Sequence, residues 1–397
     1  MAKKYEKSHP WLRFTLRLPQ DDSRLWLTLG EIASKVQHLS GAPLRPDVAA
    51  ELHEIYLAKG VLATTAIEGN TLSEEQVRQV IDGTLNLPKS QKYLQQEVQN
   101  IVDLCNREAR LLLDPDVAER NLCLDLIRDY NQGVLKGLEL PEGTVPGEIR
   151  THSVVVGTVY RGAPAEDCEF LMDRLCNWLN SKEFVPPDEE LSVPFALIKA
   201  IVAHVYLAWI HPFGDGNGRT ARMMEFHVLF ASGVPLPAAH LLSDHYNLTR
   251  TDYYRELAKA SLSGGDLLPF IRYALRGFLD GLRGQIALVR EQQMRVAWEN
   301  YVHGLFRKLK SSPTQKRRRE LVFDLTDHGK WVEVSKIPLL TPKLAREYAR
   351  AGDRMVQRDL NAVAKMGLIL RRHGKVLANR NLIQAFLPRR VAENKGN

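Results

Sequence analysis

Long uninterrupted apolar runs are scarce in this chain of 397 residues. The best of them, AIVAHVYLAWI (Ala200–Ile210), is shorter than the roughly 18 residues of a membrane span and carries His204, so no membrane partner is expected. The N-terminal MAKKYEKSHPWLRF is basic but has no apolar stretch of the kind a secretory signal needs. Cysteine is sparse as well. Cys105, Cys123, Cys168 and Cys176 show no CxxC spacing of a metal site, and free, mostly buried thiols in a reducing cytoplasm are expected. What remains is ordinary for a globular protein. Hydrophobic residues make up 44% and charged residues 25%, enough for a sizeable core, and the length suits two or three domains.

The net charge of +7 conceals an asymmetry. From Pro313 onward there are 19 Lys and Arg against 8 Asp and Glu, so the last part is strongly basic and everything before it slightly acidic. Charge arguments about partners therefore concern the tail. Most of the chain predicts helix. IYLAKGVLATTAIEG, YLQQEVQNIVDLCNREARLLL, NLCLDLIRDYNQGVLKGL and FALIKAIVAHVYLAWI place apolar residues three and four apart. One stretch differs: IRTHSVVVGTVYRG (Ile149–Gly162) predicts a small hairpin around Gly157. After Gly265 one long helix is expected, or two joined near Gly281–Gly284, and KSSPTQKRRRE (Lys310–Glu320) predicts a linker.

The segment HPFGDGNGRTAR (His211–Arg222) concentrates the chemistry. Glycines at 214, 216 and 218 weaken any regular element, by up to about 1 kcal/mol each within a helix, which makes a ligand the reason for them. An apolar helix enters the segment and ARMMEFHVLFA reads as the next helix. The glycine-rich loop thus feeds a helix N-terminus, where unpaired N–H groups and the helix dipole favour an anion. Arg219 and Arg222, three apart, supply forked donors suited to phosphate. Asp215 is an oxygen ligand suited to Mg²⁺ beside phosphates, and His211 is the natural general base. A nucleotide polyphosphate with Mg²⁺, and phosphoryl or nucleotidyl transfer, follow from this set. A Walker loop is excluded because Gly214 is followed five residues later by Arg219 with no lysine, and a calcium loop because Arg219 occupies a ligand position.

The segment resembles, at every defined position, the Fic family signature HxFx(D/E)GNGRxxR, and PGEIRTHSVVVG (Pro146–Gly157) resembles that family's target-holding flap. The resemblance implies a mainly α protein with a Fic-type helical core and a small β-hairpin flap. It implies that ATP is cleaved between its α- and β-phosphates and AMP passed to a Ser, Thr or Tyr hydroxyl of a target protein. His211 would deprotonate that hydroxyl and Asp215 would hold Mg²⁺. Gly216, Asn217 and Gly218 would form the anion hole, with Arg219 and Arg222 on the outer phosphates. An intact GNGR favours AMP transfer over phosphate transfer. TTAIEGN (Thr64–Asn70) resembles the family's inhibitory pattern (S/T)xxxE(G/N), so Glu68 is expected to pair with Arg222 and restrain the reaction. Tyr253 and Tyr254 sit where relatives place residues near the nucleotide. His204, on an apolar helix face, is expected to be a core residue.

The tail reads as helix, turn, helix and hairpin, and resembles a winged helix-turn-helix. RRRELVFDL is the first candidate helix, and Thr341 caps a second that begins at Pro342. ARAG makes the turn, Asp353–Gly367 forms an amphipathic helix, and LILRRHGKVLANR gives two strands around His373–Gly374. Arg354, Gln357, Arg358 and Asn361 would line an exposed face, with Arg371, Arg372 and Lys375 on the wing, offering a surface for DNA. The expected domains are 1–120 with the inhibitory helix, 121–310 as the catalytic core and 311–397 as the winged helix. A homodimer is a further implication of the resemblance. The rival function is a DNA-binding regulator whose core only senses nucleotide.

Overall fold

The computed structural model describes residues 3–114, 121–156, 160–348 and 352–384. It is mainly helical. The chain forms two compact units, 1–289 and 290–397.

The first unit opens with α1 (Tyr5–Ser8), α2 (Ser23–Ser40), α3 (Pro46–Ala66), α4 (Glu74–Ile81), α5 (Lys92–Leu113) and α6 (Leu124–Val134). A two-stranded antiparallel hairpin follows, β1 (Val155–Val156) with β2 (Tyr160–Arg161), pairing Val155 with Arg161. The turn expected at Gly157 lies outside the described residues. Then come α7 (Ala165–Leu179), α8 (Ser192–Ile210), α9 (Asn217–Ala231), α10 (Leu236–Ala239), α11 (Leu241–Leu248), α12 (Arg250–Leu262) and α13 (Leu268–Arg307). Local chemistry starts and stops these helices. Pro46 opens α3, Asp22 accepts the Leu25 N–H at the start of α2, and Ser73 with Gln76 forms a capping box on α4.

The core of this unit is built around α8. Its Ala200, Ile201, Val202, Ala203, Val205 and Leu207 are fully buried, because the helix is apolar all round rather than striped. The sequence reading underestimated this run, which continues past Lys199. Glu189–Ile210 is long and apolar enough, by length and composition, to cross a membrane, yet 78% of its apolar window is buried inside the protein. It is a core helix. All four cysteines are free, and Cys105, Cys168 and Cys176 are buried.

Residues 1–120 and 121–289 share one hydrophobic core, so the expected boundary at residue 120 does not divide the packing. The compact units divide at residue 289, where a boundary at 310 was expected. Helix α13 runs unbroken through Gly281 and Gly284, and Trp298, Val302 and Phe306 on its second half belong to the core of the second unit. The charged Lys310–Glu320 segment is mostly helix: Ser312 caps the Gln315 N–H and Pro313 opens α14 (Pro313–His328).

The second unit continues with β3 (Val332–Glu333), α15 (Pro342–Tyr348), α16 (Gly352–Lys365), β4 (Ile369–Arg372) and β5 (Lys375–Ala378). Its antiparallel sheet has the order β3-β5-β4. Thr341 caps α15 through the Leu344 N–H, as its sequence position predicts. His373 and Gly374 both take positive φ, 46° and 72°, which a two-residue hairpin turn requires. The short strand β3 carries no period-2 pattern that sequence could reveal. Most of the turn expected at ARAG lies outside the described residues. Asp359 is buried and held by Arg317, Arg318 and the Tyr348 hydroxyl.

Candidate active site

The loop between α8 and α9 is fixed from several sides. His211 ends α8 in the left-handed region (φ 52°, ψ 59°), and Gly216 starts α9 at φ 75°. Phe213 is fully buried and anchors the loop. The Asn217 side chain closes it, accepting from the Phe213 N–H at 3.0 Å and donating to the Phe213 carbonyl at 2.9 Å. Asn131 on α6 donates to the Asp215 carbonyl and accepts from the Gly147 N–H, so it ties the loop to the segment before the hairpin. The glycines are steric requirements. A Cβ on Gly214 would crowd Thr144, and one on Gly216 would meet Leu135 and Asn131.

A cleft of 410 Å³ opens above this loop, lined by His211, Asp215, Gly216, Asn217, Gly218, Glu68, Thr144 and His152. A larger cleft of 690 Å³ near Leu122, Leu179, Phe195 and Val234 is lined mostly by apolar groups and lies away from this cluster. His211 donates from Nδ1 toward the Ala208 carbonyl at 3.4 Å, which leaves Nε2 with the lone pair. Burial pushes its pKa down to about 4, with Arg150 adding to the effect, so the ring is neutral at pH 7. Asp215 is 41% exposed and accepts from the Gly216 N–H at 2.5 Å.

The two arginines are engaged by different carboxylates. Arg222 is buried, and its Nη2 donates to Glu68 Oε1 at 2.5 Å and to the Thr64 carbonyl at 2.9 Å. Its Nε and Nη1 have no hydrogen-bond partner among the described residues. A Cβ placed on Gly218 would overlap Glu68 Oε1 and lie 3.2 Å from Arg222 Nη1, so the carboxylate rests directly against the glycine-rich loop. Arg222 holds the Glu68 pKa below its ordinary value against the opposing effect of burial. Arg219 instead donates to Glu97 on α5 at 2.9 Å, and Glu97 accepts from Asn70 at 2.9 Å. Both motif arginines are therefore already neutralised, one from the end of α3 and one from α5.

His211, Asp215, Gly216, Asn217, Gly218, Arg219, Arg222 and Glu68 thus come together. Tyr253 is buried with its hydroxyl 2.9 Å from His204 Nε2, while Tyr254 is exposed. His204 is a core residue, though a polar one: its Nδ1 lies 3.2 Å from Glu225. Sequence reasoning missed Glu97, Asn70, Asn131 and Arg150. Asn131 left a signal, as a polar residue on the apolar stripe of α6. Glu97 left none, because a glutamate on a helix usually faces solvent.

The chain is similar to known proteins in sequence and in fold. Residues 121–229 match the model of the Fic/DOC family. The chain is 31% identical over 258 residues to the protein adenylyltransferase fic-1 of Caenorhabditis briggsae, covering 64% of this chain and 45% of that protein. It is 31% identical over 213 residues to the protein adenylyltransferase Fic of Nematostella vectensis, again covering 45% of that protein. The chain spans less than half the length of these curated relatives. Among solved structures, a Fic family protein from Desulfovibrio desulfuricans G20 superposes with a TM-score of 0.55 at 20% identity, covering 91% of this chain and 97% of that one. Residues 134–508 of Fic-1 from C. elegans superpose with a TM-score of 0.55 at 25% identity, covering 68% and 74%. Residues 121–229 therefore carry a Fic/DOC domain, within a chain homologous to Fic protein adenylyltransferases.

Proposed function

We propose that this protein transfers AMP from ATP to a hydroxyl of a target protein and that Glu68 restrains the reaction. The observation that carries this reading is the position of Glu68 Oε1, 2.5 Å from Arg222 Nη2 and against Gly218. A carboxylate there stands where a phosphate of the nucleotide would draw on the same guanidinium and the same loop. In the transfer, His211 Nε2 takes the proton of the attacking hydroxyl, the hydroxyl oxygen bonds to the α-phosphorus, and pyrophosphate leaves with the electrons of the broken bond. The N–H groups of Gly216, Asn217 and Gly218 stabilise the charge that develops on the α-phosphate. Arg222 holds an outer phosphate once Glu68 yields, and Arg219 holds another from the orientation that Glu97 gives it.

The donor set is compatible with Mg²⁺. Among the described residues no cluster of three metal-ligating side chains exists, but this ion commonly takes one carboxylate, phosphate oxygens and water, and Asp215 offers its carboxylate beside the loop. When bound it would neutralise charge across the α- and β-phosphates. Four free thiols suit a reducing compartment such as the cytoplasm.

The test uses Glu68→Gly protein with ATP labelled at either the α- or the γ-phosphate. Covalent label from α only, lost when His211→Ala is added, is the expected result. Label from γ only would mean phosphate transfer and would overturn the reading.

A second reading concerns the second unit. We propose that its order of helix, strand, two helices and two strands is a winged helix-turn-helix that binds DNA, which would make the protein a nucleotide-sensing regulator if no transfer occurs. Arg354, Gln357, Arg358 and Asn361 are exposed on α16, and Arg371 on β4 donates to Gln357 and Asn361. That arrangement favours one continuous basic, amide-bearing face.

A further inference from the structure

Arg150 is buried at 4% exposure and makes no ion pair among the described residues. Its guanidinium is satisfied by backbone carbonyls instead. Nε donates to the His211 carbonyl at 2.7 Å and Nη1 to the His152 carbonyl at 2.6 Å. Nη2 donates to Ala163 and, at 3.4 Å, to Ile210. The Arg150 N–H donates to the Pro212 carbonyl at 2.9 Å. One side chain therefore joins the end of α8, the approach to β1 and the exit from β2. The last carbonyls of a helix have no partner within it, and a cation there also opposes the helix dipole.

His211 is one of few non-glycine residues here at positive φ, a conformation that costs about 1–2 kcal/mol and persists only where the surroundings impose it. Among the described residues, Arg150 alone grips the His211 carbonyl by a side chain. We infer that Arg150 is the positioning residue that holds His211 in its left-handed conformation and aims its imidazole into the cleft, by clamping the carbonyls that end α8. This rests on the reading of His211 as the base. Gly162 belongs to the same device, since a Cβ there would press on Arg150 Nη2 at 2.9 Å and His211 Cβ at 3.0 Å.

Among the described residues this guanidinium makes no hydrogen bond to Gly216, Asn217, Gly218, Arg219 or Arg222, so the clamp should govern turnover and not nucleotide affinity. The experiment places Arg150→Lys, Arg150→Gln and Gly162→Ala separately in the Glu68→Gly parent. It measures single-turnover self-labelling from α-labelled ATP, ATP affinity by equilibrium titration, and hydrogen exchange of the His211 amide, which donates to Leu207 at 2.8 Å. In the arginine variants the expected labelling rate is about 10²-fold lower with ATP affinity unchanged. Lysine does not rescue, because a point charge cannot reach carbonyls in several directions. The expected exchange at His211 is roughly tenfold faster, while α9 amides keep their protection. Gly162→Ala moves the same quantities in the same direction by less. Labelling within about threefold of the parent, or affinity falling in step with rate, would overturn the inference. So would unchanged exchange at His211. If the parent itself does not self-label, the proposed transfer is what suffers, and exchange at His211 still decides the role of Arg150.

Discussion

Glu68 Oε1 and Arg222 Nη2 lie 2.5 Å apart although 154 residues separate them, and the arginine is buried while the glutamate side chain is 32% exposed. The asymmetry matters. A carboxylate whose side chain is about one-third exposed can leave for water, whereas Arg222 cannot follow it, so the pair opens from the Glu68 side. Removing Glu68 strands a buried cation. Glu68→Gly should therefore lose about 1–2 kcal/mol of stability, between the values for surface and buried pairs. Its Tm in the absence of nucleotide should fall by roughly 2–4 °C per kcal/mol, and ATP should raise that Tm more than it raises the wild-type value. A thermal melt with and without ATP reads both. An ATP-induced rise no larger than that of wild type would argue against competition between carboxylate and phosphate.

The helix that carries the restraint is seated by a glycine. A Cβ on Gly60 of α3 would overlap the ring of His240, which in turn stacks on Phe226 with centroids 4.7 Å apart. Gly60→Ala should push α3 outward, cost about 1–3 kcal/mol through overpacking, and raise AMP transfer severalfold because Glu68 moves with the helix. Denaturant unfolding and label incorporation test the two halves. Lower stability with unchanged transfer would mean that the end of α3 is held independently of its middle.

Arg219 makes a different prediction. Glu97 holds it through one carboxylate oxygen while the other oxygen accepts from Asn70. Glu97→Gln keeps the shape but can serve only one of these donors with its single carbonyl oxygen. Arg219 should lose its fixed orientation, and ATP affinity should weaken by about tenfold, one charge-assisted hydrogen bond's worth. Equilibrium titration with ATP in the Glu68→Gly background measures it. Unchanged affinity would show that Arg219 finds the phosphate without Glu97.

The glycine-rich loop and the helix it feeds were legible in the sequence from local spacing, whereas the pairing of Glu68 with Arg222 was expected only through the family resemblance, since 154 residues separate the two. Arg150 and Glu97 were not. Their roles arise from long-range packing, which brings Arg150 to the end of α8 and Glu97 from α5 to Arg219, and no local spacing encodes either meeting. The division near residue 289 was hidden for a related reason. Helix propensity along α13 is continuous, and what changes is the core each half joins: Leu279 and Leu282 pack into the first, Trp298 and Val302 into the second. Thr341 and Gly374 were readable because caps and turns are local.

Acid should destabilise the first unit through its buried histidines. Burial pushes His240 down to about 4, as it does His211, while in the unfolded chain each titrates near 6.5. Between those values the unfolded state binds more protons, so stability present above pH 6.5 is lost as pH falls toward 4. At pH 5 His240 alone accounts for about 2 kcal/mol relative to pH 7. His240→Phe keeps a ring against Phe226 and removes the titration. Urea unfolding at pH 7 and pH 5 should show a smaller loss for the variant than for wild type; equal losses would mean that His240 protonates without penalty.

The basic face of the second unit offers the test of its partner. Arg371 is held across α16 by Gln357 and Asn361, and Arg372 and Lys375 lie exposed beside it. Contacts to phosphate release counterions, so binding to duplex DNA should weaken steeply with salt, and each lost phosphate contact should flatten the log–log slope by about one. Arg372→Ala and Lys375→Ala, whose side chains make no hydrogen bond among the described residues, should each do this equally for all sequences. Arg358→Ala, on the helix face, should instead cost about 1–3 kcal/mol for a preferred sequence and little elsewhere. The distinction matters because a merely basic surface would give the first result without the second. Salt titrations of the wild type and the three variants on specific and random duplexes separate them. Binding indifferent to salt would remove DNA as the partner of this face.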